Sequence, residues 1–147
     1  MKKFKFRLQT LLEQRKARED ELLGELAEVR REEALEEARL IALRTRLANA
    51  CTALQQALER SESSEILEMY DEYSKALRDD VRVQELTLEA VRQRVEQKRL
   101  DVIKAMQERK VLETLRDKQE AAFLKAAARA EQIEMDDMAS LRFARGM

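Results

Sequence analysis

Residues 40–70, LIALRTRLANACTALQQALERSESSEILEMY, contain the end of one apolar repeat and the start of another. Leu40, Leu43, Leu47 and Leu54 recur at steps of three, four and seven, which is the spacing of a helical seam. Serines and acids then replace the apolar residues. Ser61, Ser63 and Ser64 can accept hydrogen bonds from the free amides of a new helix, so we predict a turn at about residues 59–65.

The seam before the turn extends back almost to the first residues. Its positions alternate by four and three and are mostly apolar, with Glu33 and Glu36 as interruptions. A second row lies beside it, and we expect that row to widen the buried stripe. The seam positions are Leu8, Leu12, Arg15, Glu19, Leu22, Leu26, Val29, Glu33, Glu36, Leu40, Leu43, Leu47, Ala50, Leu54 and Ala57. The second row is Leu23, Ala27, Ala34, Ala38, Ile41, Ala48, Cys51 and Leu58.

A second seam follows the turn at the same stepping and runs to Ile133. Its apolar positions include Leu67, Tyr70, Leu77, Val81, Leu88, Val91, Val95, Val102, Ala105, Leu112, Phe123, Ala126 and Ala130. Lys98, Arg109, Arg116 and Gln119 are polar breaks in it. These breaks have two interpretations. In the first, the polar groups fix the register of the two helices while the aliphatic parts of the long side chains extend to the edge of the interface. In the second, the second helix leaves its partner beyond about Val111 and faces another protein.

Composition agrees with an all-α fold. The chain has 147 residues, no Pro, two Gly and 40% charged residues, which is typical of long helices that bury one stripe. We therefore predict a long two-helix antiparallel coiled-coil hairpin whose second helix is longer than the first. It forms one domain over 1–147, with helix one at about 4–58, the turn at about 59–65 and helix two at about 66–143. The N-terminus should lie beside residues 115–125, so that the last couple of dozen residues project or pack on a partner.

The residue types in the chain argue against disulfide, zinc and catalytic sites. Cys51 is the single cysteine and there is no histidine, so neither an internal disulfide nor a zinc site is expected. Acid pairs such as Asp79 with Asp80 are interpreted as solvated helix faces, because general acid–base work needs a walled pocket. We predict no enzyme activity and no cofactor. Residues 4–12 lack a signal-peptide core, no apolar run is long enough to span a bilayer, and a reducing cytoplasm suits the lone cysteine best.

Charge is distributed unevenly although the formal net charge is −1. Residues 1–18 hold seven basic residues and one acid, Glu13, whereas residues 59–72 hold six acids and one base, Arg60. A nucleic-acid reader would need a longer basic helix, so no nucleic acid is expected as a partner. The basic start also contains Phe4 and Phe6, which either cover the second helix or anchor the chain in a partner. Near the turn, Tyr73 is a better contact candidate than Tyr70, which falls on the seam.

Two stretches carry a family resemblance. The opening FKFRLQTLLEQRK, residues 4–16, and the closing segments LETLRDKQ, residues 112–119, and EQIEMDDMA, residues 131–139, resemble the FliJ family of flagellar export proteins. The resemblance covers the whole chain. It implies a non-catalytic stalk, similar to the central stalk subunit of rotary ATPases. An injectisome stalk or a generic coiled-coil scaffold is the alternative.

The resemblance also implies partners and a location. The stalk would stand in the hexameric ring of the export ATPase FliI, promote ring assembly and activity, and couple the ring to the export gate protein FlhA. FliH and export chaperones would be further partners. The protein would be cytoplasmic and peripheral at the inner face of the cell membrane at the flagellar base, attached to the membrane only through partners.

Candidate contact residues form two sets. The ATPase-contact set is expected where the two termini meet, and consists of Phe4, Phe6, Leu8, Leu11, Arg15, Arg116, Gln119, Phe123 and Gln132. The gate-contact set follows the family's apolar and aromatic positions in the distal half, and consists of Leu43, Tyr73 and Leu77.

Overall fold

The structure is a computed structural model that describes residues 2–146. It has two helices, α1 at Gln9–Glu59 and α2 at Ser64–Arg145, which pack against each other. The predicted all-α hairpin with a longer second helix is confirmed. The chain divides into two compact units: a turn unit, Leu22–Val102, and a terminal unit, Met1–Glu21 with Ile103–Met147.

Residues 60–63 make the turn between the helices, inside the predicted range. Ser61 has a positive φ of 55°, and the N–H groups of Ser61 and Glu62 donate to the carbonyls of Leu58 and Ala57, at 3.1 and 3.2 Å. These two hydrogen bonds around a residue in the left-handed conformation form a Schellman cap. Ser63 then caps α2, since its hydroxyl oxygen accepts a hydrogen bond from the Ile66 N–H at 3.4 Å.

The core of the turn unit is the predicted seam. Leu40, Val81 and Leu88 form a buried cluster, and Leu43 and Leu47 pack against it. Further seam residues are buried on both helices, namely Leu22, Leu26, Val29, Ala50, Ala57, Leu77 and Val91. The apolar seam positions of the turn unit are therefore all buried or half-buried, as the repeat predicted.

The second row of α1 does not widen this core, so that prediction is wrong. Leu23 and Leu58 are exposed, and the Ile41 side chain is 64% exposed. Two helices share only one narrow stripe each, and a row about 100° further round a helix needs a third helix to cover it. The apolar second row is a surface feature of the turn unit.

Polar seam positions pair across the turn unit. The Gln84 side-chain amide donates to the Glu36 carbonyl oxygen at 3.1 Å and also to the Glu36 carboxylate. At the edges, ion pairs link Lys98 with Glu25 at 2.9 Å and Arg94 with Glu32 at 2.8 Å. Arg92 with Glu37 and Arg44 with Glu85 make two more, at 2.8 and 3.0 Å. For Lys98, the register interpretation is the one that matches its surroundings.

Helix one begins at Gln9, not near residue 4 as predicted. Residues 2–6 are non-helical, and Arg7 and Leu8 form a turn in which the Gln9 N–H donates to the Phe6 carbonyl at 3.1 Å. The reason lies in the alternation of Phe4, Lys5, Phe6 and Arg7. In an extended chain, residues two apart point to the same side, and here Phe6 is buried and Phe4 half-buried, whereas Lys5 and Arg7 are exposed.

The remaining helix bounds differ from the predictions by one or two residues. Helix one ends at Glu59, and helix two runs from Ser64 to Arg145, where about 66 to 143 was predicted. Every residue from 124 to 146 is exposed. Within the described part of the chain, no helix combines the length and the apolar character that crossing a bilayer requires.

Candidate protein-binding surfaces

An aromatic contact joins the start and the end of the chain in the terminal unit. The rings of Phe4 and Phe123 lie 5.6 Å apart between centroids at an angle of 49°. This distance is in the range favoured by aromatic pairs. Further along the chain, Phe6 is buried and Leu12 is only 1% exposed. The N-terminal segment is thus fastened to α2 by the apolar side chains that the FKFRL alternation places on one side.

Charged residues of the terminal unit pair across the two helices. Arg15 contacts Glu108 at 2.8 Å, and Lys16 lies 3.7 Å from Glu113. Arg109 donates to Glu19 across the pair and to Glu113 at 2.7 Å on its own helix. The hydrogen bond to Glu19 raises the pKa of the Arg109 guanidinium. Arg109 therefore fixes the register of the terminal unit, as Lys98 does in the turn unit.

Arg116 differs from these residues. It is half-buried, and its Nε is enclosed without a hydrogen-bond partner in residues 2–146. Since Leu112, Arg116 and Phe123 are all at least half-buried, the second helix keeps its contact with the N-terminal residues beyond Val111. The interpretation in which α2 leaves its partner beyond about Val111 is therefore wrong, and the fully exposed stretch of α2 begins after Phe123.

The expected ATPase-contact set is brought together only in part. Phe4, Phe6, Leu8, Leu11, Arg15, Arg116 and Phe123 all lie at the packed side of the terminal unit, at least half-buried. Gln119 and Gln132 are exposed, and the Gln132 amide donates to Asp136 at 3.1 Å. Seven of the nine residues therefore hold the unit together, and two are accessible to a partner.

The expected gate-contact set divides in the same way. The Leu77 side chain is 3% exposed and lies inside the pair of helices, and Leu43 is half-buried against the core cluster. Tyr73 is 52% exposed. It lines a shallow groove beside the turn together with Tyr70, Arg46, Asn49, Ala50 and Ala53. Only Tyr73 of the three presents most of its surface to solvent.

Some exposed apolar residues were not among the predicted contacts. On α2 beyond Phe123 they are Leu124, Ile133, Met135, Met138, Leu141 and Phe143. The sequence does not mark where α2 changes from a paired to an unpaired helix, because the apolar repeat continues through Ala126, Ala130 and Ile133. Within residues 2–146 no group of three or more Cys, Asp or Glu side chains is arranged to hold a metal ion.

Comparison with known proteins identifies the family of this chain. The family model described as flagellar FliJ protein matches residues 4–147. No curated protein and no solved structure matches the chain significantly. The matched range includes the extended FKFRL segment, both helices and the exposed C-terminal stretch of α2. Since the model covers nearly the whole chain, the chain belongs to the FliJ family of flagellar export-associated proteins.

Proposed function

We propose that this protein is the central stalk of the flagellar export ATPase ring. In this role it promotes assembly and activity of the ATPase FliI, couples the ring to the export gate protein FlhA, and escorts export chaperones, with FliH as a neighbour. It works in the cytoplasm at the inner face of the cell membrane at the flagellar base, and reaches the membrane through its partners. Family membership and the two long, paired helices support a mechanical role.

The Phe4–Phe123 contact is the observation on which the proposal depends most. It fastens a basic N-terminal segment to α2 at the point where α2 becomes exposed on all sides. A stalk that transmits force between proteins needs its helices fixed against sliding and fraying. The buried Phe6 and Leu12, and the ion pairs of Arg15 and Arg109, supply that fixing in the terminal unit.

The two kinds of residue in the ATPase-contact set then have different roles. Phe4, Phe6, Leu8, Leu11, Arg15, Arg116 and Phe123 act by shaping the terminal unit. Gln119 and Gln132 are exposed, and we assign them to direct contact with the ATPase. Arg116 belongs to the first group because it is half-buried and its Nε is enclosed.

The test is ATPase stimulation by variants of the aromatic pair. Phe4→Ala combined with Phe123→Ala removes the contact between the N-terminal segment and α2, and we expect the stimulation of purified FliI to fall several-fold. Lys5→Ala is the matched control, because Lys5 lies between Phe4 and Phe6 in sequence but is exposed. Equal stimulation by the double variant and the control would contradict the role of the aromatic pair.

For gate coupling we propose the groove at Tyr73. A half-exposed tyrosine offers a large apolar area and a polar tip, which suits a protein contact. Arg46 and Asn49 in the same groove add donors at its rim. Leu43 and Leu77 contribute by holding the two helices that form the groove, since both pack inside the turn unit.

A further inference from the structure

Between Lys110 and Ile133, α2 carries an apolar and basic surface that no residue of the described chain covers. Two shallow grooves follow it. The first is lined by Lys110, Val111, Thr114, Leu115 and Lys118, and the second by Ala122, Lys125, Ala126, Arg129, Ala130 and Ile133. All eleven residues are exposed, and the Val111 side chain is 68% exposed. We call these eleven residues the basic seam.

The spacing of the basic seam is that of a helix-packing surface. Val111, Leu115, Lys118, Ala122 and Lys125 follow one another at steps of four and three. This is the heptad rhythm of a face that meets another helix. Lys125 is two positions from Phe123, which corresponds to a rotation of about 200°, whereas Ala130, seven positions on, returns to the side of Phe123 beyond the paired stretch of α2. Both grooves are nevertheless uncovered, because all five residues of the first groove, Ala122, and every residue from 124 to 146 are exposed.

Charge distinguishes this face from the rest of the chain. The two grooves contain four basic residues and no acid, in a chain that has 30 acids in total. The acids of the same stretch, among them Glu113, Asp117 and Glu131, line neither groove. None of the four cations forms an ion pair with any residue from 2 to 146. By contrast, Arg15 and Arg109 on the packed side have carboxylate partners.

From these observations we propose that the basic seam docks an acidic amphipathic helix of a partner protein. The apolar residues Val111, Leu115 and Ile133 would contact the apolar face of that helix, and the small residues Ala122, Ala126 and Ala130 would allow it to approach closely. Lys118, Lys125 and Arg129 would meet carboxylates along its edges. The proposal holds whichever protein supplies the helix, and it does not depend on the ATPase assignment.

Two other occupants agree less well with this surface. A second copy joined through the same seam would bring lysines and arginines of the two copies together, which is unfavourable. A nucleic acid would meet the four cations but leave the three large apolar side chains without contacts, and the basic seam has no aromatic residue on which a base could stack.

The experiment measures peptide binding to the full chain by fluorescence anisotropy. The probe is a synthetic 21-residue helix, about the length of the seam, with leucines on one face and glutamates along both edges. Two matched peptides carry glutamine or lysine in place of glutamate. We expect the Glu peptide to bind at least about tenfold more tightly than the Lys peptide, with a difference that shrinks as salt is added.

Charge reversal on the protein supplies the decisive comparison. In Lys118→Glu with Lys125→Glu and Arg129→Glu, we expect the order of the peptides to invert. The control variant Arg30→Glu with Arg31→Glu and Arg60→Glu makes the same change of charge at exposed arginines of the turn unit, and should keep the original order. Circular dichroism should show equal helicity, because all six side chains are exposed.

Several results would overturn the proposal. The Glu and Lys peptides could bind the unmodified chain equally, or the control variant could lose as much affinity as the seam variant. A salt-sensitive dimer of the chain that disappears in the seam variant would instead identify a second copy as the occupant. Binding of duplex DNA more tightly than the Glu peptide at physiological salt would assign the surface to nucleic acid.

Discussion

Gln84 of α2 hydrogen-bonds both the main-chain carbonyl and the carboxylate of Glu36 on α1. Glu36 is 7% exposed and is the one charged residue among the buried residues of the described chain. Its carboxylate also accepts a hydrogen bond from Arg39 at 2.7 Å. A polar layer of this kind stabilises one alignment of two helices over the others, because every shifted alignment leaves the buried carboxylate without its amide.

Gln84→Ala should lower the free energy of unfolding by about 1 to 3 kcal/mol, since it leaves part of a buried carboxylate unsatisfied. Glu36→Leu combined with Gln84→Leu should restore the stability but loosen the alignment, and so allow other oligomeric states. Urea unfolding and sedimentation velocity check the two effects. A double variant that is stable and has a single oligomeric state would show that the polar layer does not set the register.

The left-handed residue at the turn gives a second prediction. Ser61→Gly should raise the free energy of unfolding by up to about 1 kcal/mol, because glycine adopts a positive φ without the steric cost of a Cβ atom. Ser61→Ala is the control and should stay within about 0.5 kcal/mol of the original. Thermal unfolding of the three proteins measures both changes. Stabilisation by alanine equal to that by glycine would contradict the left-handed conformation.

Acid pH should weaken one ion pair on α2. The hydrogen bond from Arg99, at 2.9 Å from its Nε, holds the pKa of Glu96 below its ordinary value. A lowered carboxyl pKa means that the pair contributes stability above the ordinary glutamate pKa, and that this contribution is lost as pH falls through the lowered value.

Glu96→Gln should therefore be slightly less stable than the unmodified chain at neutral pH and equally stable in acid. Chemical unfolding at a series of pH values tests this, with high salt as a control that shrinks the difference at neutral pH. A difference that stays constant from neutral to strongly acid solution would be inconsistent with the shifted pKa.

Tyr73 and Leu77 should behave differently although they are four residues apart on the same helix. Leu77→Ala should cost about 2 to 4 kcal/mol in the free energy of unfolding, because it leaves a cavity between the helices. Tyr73→Ala should change stability by no more than about 0.5 kcal/mol but weaken binding to the isolated cytoplasmic domain of FlhA. Calorimetric binding measured alongside unfolding separates the two effects. Unchanged binding by the fully folded Tyr73→Ala protein would remove Tyr73 from the gate site.

The sequence was sufficient for the pairing of the helices. Leu40, Val81 and Leu88 fall on the heptad positions that the repeat marks, and the serines at 61 and 63 mark the turn. The repeat could not distinguish a paired seam from an unpaired one. Ile41 follows the same spacing as Leu40 and yet faces solvent, because only contact with a second helix decides which row is buried.

The predicted contact residues show the same limit. Phe4 and Phe6 were placed on a helix, but their alternation with Lys5 and Arg7 has the period of an extended chain, and the structure follows that period. Leu77 belongs to an apolar seam position, so its burial could have been expected from the repeat alone. No prediction was made for Lys118 and Arg129, because basic residues are common on a highly charged helix. Only the structure shows that the neighbouring acids lie on another face.

ATPase rate against protein concentration tests the proposed stalk role most directly. Purified FliI from the same organism is assayed alone and with increasing amounts of the full chain, with the Phe4→Ala and Phe123→Ala variant in parallel. We predict a saturable rise in rate for the unmodified chain and a several-fold smaller rise for the variant. A rate that stays at the level of FliI alone at every concentration of the unmodified chain would contradict the stalk role.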